Sequence, residues 1–187
     1  MNAKIDNAQT WNEAAKAGLA FGAVSIGCLL LKEASTLSGS VFLVQAAAII
    51  LWAVEFFGCI LLMKNLMLRL SAKYGGLKME ETYRFGRRAA LLSGLLLAAV
   101  QAYLILRMPQ EEMNTLLGPL TSSLTSAQRE QVSGVMDKLP LYTFIIQWLY
   151  CYLYGTVLAS ILSRYIFMQE VLGFRPKDED PDKPDEQ

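Results

Sequence analysis

The sequence predicts an all-α, polytopic membrane protein: a four-helix transmembrane bundle with a short amphipathic helix in an outer loop. Two observations carry that prediction. Residues 40–63 form an apolar run broken by a single acid, Glu55; at 1.5 Å of rise per helical residue it can cross a hydrocarbon core roughly 30 Å thick. Three further apolar runs, about residues 12–31, 89–106 and 140–163, can cross beside it. Composition agrees, because 53% hydrophobic residues exceeds the roughly 45–50% apolar content, glycine included, of an average soluble domain.

Residues 1–10 are polar. Thr10 and Glu13 have capping-box spacing, so a first helix is expected to start at Thr10 and run to Leu31. Lys4 and Lys16 upstream of its apolar part give it some likeness to a signal peptide, but Lys32-Glu33 follows directly and no small-residue cleavage site is present, so the span is expected to stay. The link 32–39 is short enough for an antiparallel hairpin with the second span. Residues 64–88 then form an inner segment with seven basic residues against Glu80 and Glu81, broken by Gly75-Gly76. After the third span a polar loop, 107–139, leads to the fourth. The tail 173–187, rich in charge and proline, has nothing to bury and is expected to be disordered.

Lys and Arg favour the cytoplasmic side of a membrane. With the amino end inside, the inner segments hold 13 of them and the outer loops only Lys32, Arg107, Arg129 and Lys138. Both termini are therefore expected in the cytoplasm. The formal net charge of +0 gives no global field that would attract nucleic acid. No histidine is present, which removes the commonest metal ligand and general base, and no metal or cofactor is expected. Cys28, Cys59 and Cys151 fall in apolar runs at different expected depths and read as small hydrophobes rather than a disulfide framework. Cys59 lies one helical turn from Glu55, whose charge opposes thiolate formation, so it makes a poor nucleophile. Gly75-Gly76 lacks the Lys-Ser/Thr of a phosphate loop, and the acidic tail lacks the glycine and spacing of a calcium hand. No enzymatic activity is expected.

Small residues every fourth position mark helix seams in lipid, where close contact drives packing. The first span offers Ala14, Gly18 and Gly22; the third Ala90, Gly94, Ala98 and Ala102; the fourth Cys151, Gly155, Ala159 and Ser163. These seams either build the bundle itself or dock a protein partner or second copy. Among the intramembrane polar groups, Gln45, Gln101 and Gln147 fall about 8–10 Å from the outer edge and could share a hydrogen-bonded layer or line a vestibule. Glu55 lies about 22 Å from that edge, close to the level expected for Lys16. An ammonium within about 4–6 Å would keep such a carboxylate charged, so Glu55 and Lys16 are a candidate buried pair; alternatively Lys16 snorkels to the inner headgroups.

Residues 126–139 place Val132, Val135, Met136 and Leu139 on one helical face, which suits a short helix on the outer membrane surface. Arg69, Lys73, Arg84, Arg87 and Arg88, mixed with Tyr74, Tyr83 and Phe85, suit anionic headgroups. Trp11, Tyr103, Tyr142 and Tyr165 fall near the expected interfaces and read as anchors.

The succession WNEAAKAGLAFG, KYGGLKMEETYRFGRRAALLSG, LTSAQREQVSGVMDKL and the closing span resembles the membrane family known as domain of unknown function 4199, from bacteria of the Bacteroidota. The likeness runs from Trp11 to Met168. It implies an inner-membrane protein of a didermic bacterium, transfers no catalytic residue, and weakly suggests association with membrane-surface glycosyltransferases. The expected role is an accessory or scaffold subunit of an envelope complex; the alternative is a small transporter or permeation module using Glu55.

Overall fold

In the computed structural model, residues 5–36, 41–74, 76–109, 111, 113 and 138–171 are described. Four long helices account for nearly all of them: α1 (Asn7–Thr36), α2 (Val41–Lys73), α3 (Met79–Arg107) and α4 (Leu139–Val171), with no strand among the described residues. All four are long and apolar enough to cross a membrane. The predicted outer-loop helix over 126–139 and the tail 173–187 lie outside the described residues, Lys138 and Leu139 excepted.

The helices contain 30, 33, 29 and 33 residues, or about 45–50 Å each. They overrun the apolar spans mostly at one end: α2 continues past Met63 to Lys73, and α3 is already helical at Met79. The basic segment is therefore not a loop. Met63, Met67 and Leu70 keep one face buried while Lys64, Arg69 and Lys73 occupy other faces, so helical periodicity persists after uniform hydrophobicity stops. The actual turn, 74–78, uses Gly76 at φ +94°, a conformation suited to glycine. Its amide donates to the Ser71 carbonyl at 2.9 Å, and Glu81 accepts from the Lys78 amide at 3.3 Å to open α3.

The start of α1 corrects the expected Thr10 cap. The helix begins at Asn7, whose amide donates to Asp6 Oδ1 at 2.6 Å, and Gln9 Oε1 accepts from the Asp6 amide at 3.4 Å. Thr10 is one turn inside the helix, its hydroxyl donating back to the Asp6 carbonyl at 3.0 Å. Asp6 and Gln9 thus fill the capping roles, because the acid sits where the first free amides point.

The small-residue seams hold the bundle together. A Cβ on Gly18 would lie 2.8 Å from Leu92 Cβ, one on Gly94 2.9 Å from Cys151 Cβ, and one on Gly155 2.3 Å from Ala90 Cβ. Gly22 faces Leu96 in the same way. Ala90, Ala98 and Ala159 are buried along this line, and Ala102 is half-buried. α3 is accordingly the central helix, packed closely against α1 on one side and α4 on the other, while α2 meets α3 and α4 only sparsely.

Burial is uneven along the bundle. Ala14, Phe21, Met63, Met67, Leu70, Phe85, Ala89, Leu162 and Ile166 join in one core, at the end that holds the α2–α3 turn. No described side chain of α2 before Met63 is buried. Phe42, Ile49, Ile50 and Phe57 are 77%, 68%, 62% and 60% exposed along that stretch; in a membrane such a face meets lipid. The anchors are also turned outward, with Trp11, Tyr103, Tyr142 and Tyr165 between 43% and 51% exposed. Arg88 lies over Trp11 at 4.5 Å, Arg107 over Tyr103 at 5.1 Å and Lys64 over Tyr165 at 5.2 Å.

Candidate functional site

Where α2 parts from α3 and α4, a cavity of about 190 Å³ opens in the middle of the bundle. A second space of about 140 Å³ adjoins it toward the helix ends remote from the α2–α3 turn, and both are lined by Ser25, Trp52, Glu55, Leu97 and Gln147. At about 30 Å³ per water, the larger space holds several waters or a small organic group.

Two helical faces build its polar and aromatic walls. On α2 the lining positions Trp52, Glu55, Phe56, Cys59 and Met63 fall three or four apart, and on α4 Gln147, Tyr150, Cys151, Tyr154, Gly155 and Leu158 repeat the same spacing. Glu55 therefore points into the cavity, where it is half-buried. Trp52 stacks on Phe56 at 5.5 Å between ring centroids, Phe56 meets Tyr154 at 5.8 Å, and Tyr154 stacks on Tyr150 at 6.4 Å. A continuous aromatic wall thus links α2 to α4 beside the carboxylate. The buried Tyr154 hydroxyl has no hydrogen-bond partner among the described residues. Gln147 Nε2 donates weakly to Cys151 Sγ at 3.5 Å.

The predicted polar residues are only partly brought together. Gln101 and Gln147 line the second space with Glu55, so α2 reaches the same level by a different count of residues than its neighbours. Gln45 is exposed and lines neither space. A three-helix amide layer does not form. Lys16 is also remote: its Nζ lies 3.7 Å from Glu13, with Lys73 Nζ on the same carboxylate at 2.7 Å. The α1 residues opposite Glu55 are Ser25 and Cys28, nine and twelve positions beyond Lys16, or about 14–18 Å along the helix. The expected Glu55–Lys16 pair is replaced by a Lys16–Glu13–Lys73 cluster at the far end. Lys32 instead lines the second space, which contains Glu55, yet no basic side chain among the described residues forms an ion pair with Glu55.

Cys59 and Cys151, expected at different depths, face the same cavity as free thiols. Of the basic residues expected at headgroups, Arg69, Lys73, Arg84 and Arg87 are exposed; Arg88 is half-buried, donating to Asn7 Oδ1 at 2.5 Å. Sequence reasoning singled out Glu55, Gln101 and Gln147 but passed over Ser25, Trp52, Phe56, Tyr150 and Tyr154. The signal was present: taken from Glu55, positions −3, +1 and +4 define one face, and none of its four residues, Trp52, Glu55, Phe56 and Cys59, is aliphatic.

Comparison of the chain with family models, curated proteins and solved structures returned no match.

Proposed function

We propose that this chain is a small transporter or permeation module whose cavity binds an organic cation, with Glu55 as counter-charge and the Trp52–Phe56–Tyr154–Tyr150 wall as the surface for its apolar body. One observation carries the reading: a carboxylate inside the bundle faces an aromatic wall and has no ion-pair partner among the described residues. Desolvated charge is costly in a membrane and marks a functional position by default. Aromatic faces attract ammonium groups within about 6 Å of their centroids, adding to the Coulomb attraction of a carboxylate. The unpartnered Tyr154 hydroxyl and the amides of Gln101 and Gln147 supply hydrogen bonds to polar parts of the ligand. The sparse contact of α2 with α3 and α4 provides a lateral opening and a helix able to move.

Proteoliposomes containing the chain alone should take up labelled benzyltrimethylammonium faster than empty vesicles, and Glu55→Gln should abolish the difference while leaving insertion intact. Equal uptake by both variants, or none above empty vesicles, rejects the transport reading.

The accessory-subunit reading rests on the same lateral opening. A partner helix carrying Lys or Arg could occupy the cleft and neutralise Glu55, which would place the chain in an envelope complex and fit the suggested link to glycosyltransferases. The small-residue seams are a weaker basis for it, because Gly18, Gly22, Gly94 and Gly155 already face neighbours within the chain. Purification in mild detergent separates the readings: a scaffold retains one stoichiometric protein and loses it on Glu55→Gln. In either case the Lys and Arg distribution supports cytoplasmic termini, and a bacterial inner-membrane setting is what the family resemblance implies.

A further inference from the structure

We propose a second site, independent of the cavity: a pocket between α1 and α2 at the Lys73 end of the bundle that binds the phosphate ester of an anionic lipid headgroup. Lys16, Arg69 and Lys73 surround a space of about 200 Å³ whose base includes Leu70 and Phe85. One carboxylate, Glu13, lies among these three cations, so the pocket carries a net charge of +2. Glu13 is turned inward, its side chain 21% exposed, and holds Lys73 at 2.7 Å and Lys16 at 3.7 Å; the two lysine side chains are 57% and 65% exposed. Glu13 thereby fixes two donors at the rim. Arg69 is exposed and in no ion pair among the described residues, and its planar fork suits two phosphate oxygens at once while the lysines act as point charges.

Depth and lining favour a lipid over a soluble phosphate. Arg69 lies six residues past the end of the apolar span at Met63, about 9 Å along the helix, which is the headgroup zone outside the hydrocarbon core. Leu66, half-buried in the same lining, gives an apolar wall that a glycerol backbone can cover and that free phosphate would leave wet. Basic pockets between membrane helices are suited to anionic headgroups for these reasons.

The test is native mass spectrometry of the full chain from mixed micelles holding equal phosphatidylglycerol and phosphatidylcholine. Wild type should retain phosphatidylglycerol in preference. The double variant Arg69→Gln/Lys73→Gln should weaken that retention by about tenfold or more, and Arg69→Gln alone, which breaks no ion pair, should weaken it by at least a few-fold. Arg84→Gln/Arg87→Gln removes the same charge from the exposed face of α3 and should change it less than twofold. Equal loss from the two double variants, or no preference for phosphatidylglycerol in wild type, overturns the site. Displacement of the lipid by excess inorganic phosphate, with the same dependence on Arg69, would assign the oxyanion pocket to a soluble ester and overturn the lipid assignment.

Discussion

The two halves of this bundle solve different problems with the same helices. At the end that holds the α2–α3 turn, side chains from all four helices meet in one core, with Met67 and Phe85 0% and 2% exposed. In the other half α2 stands away, Phe42, Ile49, Ile50 and Phe57 point outward, and a carboxylate, amides and aromatic rings line the gap it leaves. Packing that is close at one end and sparse at the other lets α2 be anchored and still swing. Stability is thus expected to concentrate at the turn end and ligand response at the open end.

Substitutions can break that contrast. The largest effect is expected from Phe85→Ala, which empties the core and should cost about 3 kcal/mol, read by SDS-induced unfolding in mixed micelles; Phe57→Ala, on the exposed face of α2, should cost less than about 1 kcal/mol. Equal losses would mean that the halves are packed alike. Next comes Gly155→Val, which drives a side chain into Ala90, where a Cβ alone would approach to 2.3 Å; overpacking of this kind costs about 1–3 kcal/mol. By contrast, a Cβ on Gly58 meets nothing within 4 Å. Gly58→Ala should therefore stabilise the protein by roughly 0.5–1 kcal/mol through helix propensity, and a loss would reveal a contact at that face. A smaller effect is expected beside the cavity. Lys32→Gln removes a positive charge that shares the second space with Glu55, so binding of benzyltrimethylammonium should tighten by roughly a few-fold at low salt and less at high salt.

The sequence is most informative where the physics is one-dimensional. Four apolar runs specify four crossing helices because a bilayer imposes a length, and Gly18, Gly94 and Gly155 mark the seams because only a missing Cβ permits such close approach. Helix ends at the turn side were harder to read, since hydrophobicity falls at Lys64 while the amphipathic pattern continues to Lys73. Relative levels across the bundle were hardest. Lys16 and Glu55 lie equally far in sequence from the ends of their apolar runs at Leu31 and residue 40, but α1 runs on to Thr36 and opposes Glu55 with Ser25 and Cys28 instead. Axial offset between helices depends on which seams interlock, and no single span encodes it. The aromatic wall was legible as a face of α2 and a face of α4; that they face each other comes only from the fold.

Binding calorimetry of the purified chain with benzyltrimethylammonium, for wild type and Glu55→Gln side by side, tests the cavity most directly. The account predicts saturable one-site binding by wild type, weakened at least about tenfold when the carboxylate becomes an amide. Identical titrations for the two proteins, or heat that never saturates, would contradict it.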